Sequence, residues 1–176
     1  MNIFVLDLNI ITNVHYHCDK HVVKQCLESA QMLCTAIRCT SGVDYDWLYK
    51  PTHINHPCSI WARETLGNFW WLCEFGLKLC DEYTFRYGRV YKCRDIIINC
   101  SSAVYVTSIK NLEQTPFTQA MPDEYKDDDI VTAYRQYFIG EKQHLANWTK
   151  RPVPYWFFNT AQCPRIGVNH FNGGKK

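Results

Sequence analysis

The chain has 176 residues, of which 47% are hydrophobic, so it is long enough to form one domain whose core needs neither disulfides nor a metal. A formal net charge of +2 argues against a wide basic face for bulk polyanions, although it permits a local groove for a few phosphates. No apolar run reaches the roughly 18 residues of a membrane span, so we expect no membrane partner.

The ten cysteines do not follow the spacing of a disulfide framework or a zinc ribbon. No pair has CxxC spacing, and Cys26 and Cys34 fall on an apolar helix face, where a free thiol behaves as a small hydrophobe. The first eight residues lack the basic region of a secretory signal. We therefore expect an intracellular, reducing compartment, either cytoplasm or nucleus.

The first elements in chain order are a short extended segment and a long helix. Residues 2–8 alternate weakly in hydrophobicity, which is typical of an extended lead-in. Asp19 suits the N-cap of a helix that runs to about Arg38, because its carboxylate can accept a bond from a free first-turn N–H.

The remaining elements are also predicted to be helical. Pro57 suits the first position of a helix over residues 58–87, and Gly88 suits the position just past its end. Two further helices are predicted over residues 92–101 and 127–148. The fold class is thus mainly α: a compact bundle of four to five helices within residues 1–170, followed by a flexible basic tail at 171–176.

One face of the first long helix carries groups that can move protons or attack carbon. At about 100° per residue, His17, His21, Lys24 and Glu28 lie close to a common line. This stripe is also what an ordinary solvent-exposed face looks like, with Lys24 and Glu28 as a surface pair. In the functional interpretation Lys24, or less favourably Lys20, is an amine nucleophile, and Glu28 and His21 are its acid–base partners.

The histidines also permit a metal-site hypothesis. His17 and His21 have the i,i+4 spacing that lets two imidazoles meet one ion, and His56 could supply a third ligand. The glutamate that makes an HExxH motif diagnostic is absent. No metal and no other cofactor is therefore assigned in the leading interpretation.

Other candidate binding residues lie around the second helix. Asn55 and His56 precede it, and free N–H groups there can hold a phosphate that Arg63 reinforces; alternatively, Asn55 or His56 only caps the helix. Trp71 and Phe85 stand on its polar side, so they contact another helix or stack on a ligand. Aromatic and basic residues interleave over 83–92, which is typical of a surface for unpaired nucleic acid and equally of a helix end rich in Tyr and Arg.

Several motifs resemble those of a little-characterised family of phage and large-virus proteins. They include Cys18-Asp-Lys-His-Val-Val-Lys24 and His53-Ile-Asn-His-Pro57. The order of elements is also weakly similar to the pyrimidine-dimer DNA glycosylases of the phage T4 endonuclease V type: a short lead-in, a charged first helix, and a His-Pro turn before a long helix. That family attacks with an N-terminal amine. The resemblance implies an all-α fold and a bias toward DNA. The family's activity does not carry over, because the attacking amine would here have to belong to Met1 or be replaced by a lysine.

The leading prediction is a viral DNA-processing enzyme of glycosylase or lyase type, acting on a modified or damaged base inside an infected host cell. Lys24, Glu28 and His21 are the predicted catalytic residues. The predicted substrate-binding residues are His17, Asn55, His56, Arg63, Trp71 and Phe85. The alternatives are a metal-dependent hydrolase or nuclease using His17, His21 and His56, and a non-enzymatic viral module that binds nucleic acid or protein.

Overall fold

The computed structural model describes residues 2–158 and is mainly helical, as predicted. Its α-helices are α1 (Ile10–Tyr16), α2 (Asp19–Ser41), α3 (Pro57–Glu64), α4 (Leu66–Tyr87), α5 (Arg94–Ala103) and α6 (Ile130–Lys142). Short 3-10 turns occur at Val104–Val106, Asp123–Tyr125, Gln143–Leu145 and Tyr155–Phe158. The described residues contain no β-strand. No helix in this range is long and apolar enough to cross a membrane.

The extended N-terminal segment is part of the core. Ile3, Phe4, Val5 and Leu6 are all buried. The backbone of Leu6 is held from both sides, because its N–H donates to the Asn13 side chain (2.8 Å) and its carbonyl accepts from Arg135 (2.9 Å). These bonds replace the strand partners that the segment lacks.

Helix α2 lies at the centre of the bundle and packs against α3, α4 and α5. It ends at Gly42, which adopts the left-handed conformation (φ 67°) that suits glycine, slightly later than the predicted end at Arg38. The predicted N-cap is wrong: Cys18 occupies that position and makes no side-chain cap bond. Asp19 instead begins the helix and uses its carboxylate for tertiary contacts with Arg86 (2.9 Å) and Asn147 (2.6 Å).

The single helix predicted over residues 58–87 is two helices. Pro57 begins α3 and Gly88 ends α4, as predicted. Between them, Thr65 is extended (φ −137°, ψ 157°), and its hydroxyl accepts a bond from the Asn68 N–H. A hydroxyl cap of this kind starts a new helix, which apolar periodicity alone does not reveal.

The C-terminal part of the described chain closes the bundle. Asp129 caps α6 by accepting from the Val131 and Thr132 N–H groups. Helix α6 ends at Lys142 rather than near Trp148. Trp156 is buried, so the segment after residue 150 packs back on the core. The predicted tail at 171–176 lies outside the described residues.

Candidate functional site

A pocket of about 220 Å³ lies between α2, the N-terminal segment and the end of α6. It brings together the three predicted catalytic residues, His21, Lys24 and Glu28. The other side chains that line it are Asn2, Phe4, Gln25, Tyr137, Lys142, His144 and Leu145. The pocket therefore combines carboxylate, amine, imidazole, amide and aromatic groups in one small volume.

Gln25 holds Glu28 and the N-terminal segment in place at this pocket. Its side-chain N–H group donates to the Asn2 carbonyl (2.6 Å) and to the Glu28 carboxylate (3.1 Å). Asn2 is itself fixed by a bond from its side chain to the Ala120 carbonyl (2.7 Å). Gln25 lies one turn after His21 and three residues before Glu28, so helical spacing could have identified it as a member of the site.

His21 is a buried, neutral member of the pocket. Its ring packs on Phe4 (centroids 4.4 Å apart) and edge-on against Phe138 (5.3 Å). Burial, followed by the positive charges of His17, Lys142 and Lys24, lowers its pKa to about 3. His21 thus presents one donor and one acceptor at ordinary pH and carries no charge.

Three potential cations surround Glu28. Lys24 is exposed at the rim, while Lys142 and His144 approach from the end of α6. The Lys142 ammonium lies 5.2 Å from the centre of the Tyr137 ring, within cation–π range. Tyr137 in turn stacks on Phe4, with ring centroids 5.8 Å apart. The sequence did not indicate that Tyr137 and Lys142 of α6 form the side of the pocket opposite α2, because α6 was predicted only as a helix of the bundle.

His17 does not belong to this pocket. It lies in the non-helical junction between α1 and α2, although its ring is still 6.1 Å from that of His21. Its side chain is fully buried, and its Nδ1 bonds the Asn13 carbonyl at 2.7 Å. Burial lowers its pKa to about 4. A phosphate contact by His17 is inconsistent with this position, because the ring has no exposed surface.

The predicted binding residues Asn55, His56 and Arg63 lie at the start of α3 and within it. His56 caps α3 by accepting from the Cys58 N–H (3.2 Å), which is the structural alternative raised above. Arg63 donates to the Ser59 carbonyl one turn back (2.9 Å), and Asn55 is exposed. None of these three residues lines the pocket that holds His21, Lys24 and Glu28.

The two proposed stacking rings lie elsewhere as well. Trp71 packs within an aromatic cluster, stacked on Phe75 (5.0 Å) and edge-on to Phe117 (4.7 Å). Phe85 is exposed, and the Arg151 guanidinium lies 4.3 Å from the centre of its ring. Phe85 thus lines a separate pocket, together with Arg151, His15 and Glu82.

The metal hypothesis is not supported by the geometry. Within residues 2–158, no three His, Cys, Asp or Glu side chains are grouped so that they could hold one ion. The hypothetical set of His17, His21 and His56 therefore does not form such a group.

A buried ionic cluster that the sequence interpretation missed links α2, α4 and the C-terminal segment. Glu82 accepts from Arg86 (2.7 Å) and from Arg151 (2.7 and 2.9 Å). Arg86 also contacts Asp19 (2.9 Å), and Arg151 contacts His15 (2.8 Å). The i,i+4 spacing of Glu82 and Arg86 was a signal that could have indicated the pair.

The site and fold together define a helical protein with an amine- and carboxylate-lined pocket on its central helix. Comparison with known proteins does not assign the chain to a family, because no protein-family model, curated protein or solved structure matches it.

Proposed function

We propose that this chain is a DNA-processing enzyme of glycosylase or lyase type, which acts on a modified or damaged base. The observation that supports it best is that the Lys24 amine and the Glu28 carboxylate line one pocket with the Phe4 and Tyr137 rings. A lysine amine next to a proton acceptor is the arrangement used for Schiff-base chemistry.

In this proposal the unprotonated Lys24 amine attacks the sugar carbon C1′ of the target nucleotide. A nitrogen–C1′ bond forms while the bond from C1′ to the base breaks. One amine proton goes to the departing base, and the other goes to the ring oxygen when the sugar opens to an imine. Glu28 is the group that relays these protons, because its carboxylate lies in the same pocket and is oriented by Gln25.

The other pocket residues suit the binding of a nucleotide taken out of the stack. Tyr137, which packs on the buried Phe4, offers aromatic surface to a base, and Lys142 supplies a positive charge for a phosphate. Neutral His21 contributes a hydrogen bond and no charge, so its role is to position the substrate and not to act as a general acid.

Borohydride trapping tests the proposal, because reduction of the imine joins protein and DNA through a stable secondary amine. Wild-type protein is mixed with oligonucleotides that carry abasic, oxidised, alkylated or hypermodified bases, and adducts are detected by denaturing gel. We expect an adduct in wild type and its loss in Lys24→Ala. A reduction of about 100-fold or more in the rate of adduct formation is expected in Glu28→Gln, which keeps the shape of the side chain.

Two controls make the result specific. Lys110→Ala removes an exposed lysine that does not line the pocket, and it should trap as wild type does. Lys142→Ala removes the other lysine of the pocket; persistence of the adduct there, with mass spectrometry placing the sugar on Lys24, identifies the nucleophile. Full trapping by Lys24→Ala refutes the lysine mechanism, and absence of any adduct on every substrate refutes the proposal.

A further inference from the structure

Two further depressions continue from the pocket along the surface of α2 and α4. The first, of about 300 Å³, is lined by Asp19, Lys20, Val23, Lys24 and Tyr87. The second, of about 370 Å³, is lined by Val23, Tyr83, Tyr87 and Arg89. We call these two depressions together the outer groove.

Shared side chains make the outer groove continuous with the pocket. Lys24 lines both the pocket and the first depression. Val23 and Tyr87 line both depressions of the outer groove. The pocket and the outer groove therefore adjoin at Lys24.

The outer groove is positively charged although the whole chain carries only +2. Lys20, Lys24 and Arg89 are exposed along it. The acid among its lining residues is Asp19, whose carboxylate is already taken by Arg86 (2.9 Å) and by the Thr149 hydroxyl (2.7 Å). Lys20 and Lys24 lie one helical turn apart, about 6 Å along the axis, which lets them meet neighbouring phosphates of one strand.

The groove also offers apolar and aromatic surface between these cations. Val23 is 36% exposed, although its place in the apolar pattern predicts burial. The Tyr83 ring lies 4.8 Å from that of Tyr87 and 4.7 Å from that of Tyr91, so the tyrosines support one another as a fixed platform. Rings beside cations bind unpaired bases, which stack on them while the phosphates meet the charges.

We propose that the outer groove binds an unpaired DNA strand that extends from the nucleotide held in the pocket. The identity of the strand as substrate rests on the proposed function, whereas the binding surface is argued from the groove itself. Cations beside partly exposed rings in one groove favour a flexible single strand over a rigid duplex, whose bases are stacked inside.

Fluorescence anisotropy with an unmodified twelve-nucleotide single-stranded DNA tests the groove without requiring any chemistry. The double variant Lys20→Ala/Arg89→Ala removes two exposed charges and is compared with Lys110→Ala. If each lost phosphate contact lowers the slope of log affinity against log salt by about 0.7, the double variant should lose about 1.4 in slope. Affinity should then fall about 25-fold at 0.1 M salt, if the electrostatic contribution vanishes near 1 M.

The outcomes separate this inference from the proposed function. Salt-dependent binding that is lost in the double variant supports the groove even if borohydride traps no adduct. Equal loss in Lys110→Ala, an unchanged salt slope, or tighter binding of a twelve-base-pair duplex overturns it. RNA of the same sequence, bound as well as DNA and weakened equally by the double variant, supports the groove as a general single-strand surface.

Discussion

The buried cluster around Glu82 leads to a prediction about stability. In the folded protein this carboxylate accepts bonds from Arg86 and Arg151, and the side chains of Glu82 and Arg86 are 2% and 0% exposed. Glu82→Gln keeps the volume but removes the charge, which leaves two guanidinium groups facing a neutral amide. Breaking a buried ion pair from one side costs about 3–5 kcal/mol, because the remaining charge stays desolvated.

The partial exposure of the cluster sets the expected value within that range. The Arg151 side chain is 24% exposed and that of His15 is 37% exposed, so solvent screens part of the remaining charge. Arg86 also keeps its contact with Asp19. We therefore expect a loss near the lower limit, about 3 kcal/mol in the free energy of unfolding, which corresponds to a fall of roughly 6–12 °C in Tm for a chain of this size.

Urea denaturation followed by circular dichroism and tryptophan fluorescence measures this loss, and the neighbouring residue supplies a matched control. Asp81 forms an ion pair with Arg94 (2.6 Å), but their side chains are 54% and 34% exposed. Asp81→Asn is therefore expected to cost at most about 1 kcal/mol. If Glu82→Gln and Asp81→Asn differ by less than about 1 kcal/mol, the reasoning about burial is refuted.

The loss should also depend on pH in a defined direction. Burial by itself raises the pKa of Glu82, but the bonds from Arg151 and Arg86 outweigh it and hold that pKa below its usual value of 4.5. A lowered carboxyl pKa stabilises the folded state fully above the unfolded value, and this contribution is lost as the pH falls through the folded value. The difference between wild type and Glu82→Gln should therefore be full at pH 7 and shrink below about pH 4.5.

Five further substitutions test other details of the packing. Gly67→Ala should destabilise the fold by about 3 kcal/mol in urea melts, because its Cβ would lie 2.5 Å from a backbone nitrogen. Gly42→Ala should cost only about 1–2 kcal/mol, because its φ of 67° is strained for alanine but the space around it is open. Ser29→Ala should be neutral or stabilising, because the buried hydroxyl has no partner among the described residues. Thr35→Val should cost about 1–3 kcal/mol, because it leaves the Thr52 N–H without its acceptor. Wild type should lose about 1.4 kcal/mol of stability per pH unit between pH 6.5 and 4, because an unfolded histidine binds a proton that the buried His21 ring excludes. His21→Gln should remove this loss, as measured by urea melts at several pH values.

The fold class and most helix ends could be read from the sequence because they depend on local chemistry. Pro57 and Gly88 mark helix ends through their own backbone preferences, and Asp129 does so through its side chain. The break at Thr65 was not predicted, because it also depends on a distant partner: the Leu66 N–H donates to the Asn111 carbonyl (2.6 Å). Tertiary hydrogen bonds of this kind leave no periodic signal in the chain.

The candidate site could be predicted on one side only. Lys24, Glu28 and His21 share the pocket because helical spacing alone places them near one another. The opposite wall, with Phe4 and Tyr137, comes from segments more than 130 residues apart in the chain, and no local pattern relates them. Asn55, His56 and Arg63 were predicted as phosphate contacts on the chemistry of their side chains, and none of them lines the pocket.

The same packing explains why one stripe on α2 is divided between core and surface. Helical spacing puts His21 on one face with Lys24 and Glu28, yet His21 is only 5% exposed, whereas the apolar Val23 is 36% exposed. The N-terminal segment and α6 cover α2 on the His21 side, so that side is buried by elements that the helix's own pattern does not describe. Lys24 then lies at the boundary, between the covered pocket and the open groove beside Val23. In the proposed function, a lysine at this boundary meets the sugar carbon of a nucleotide held in the pocket while the rest of the strand stays in solvent.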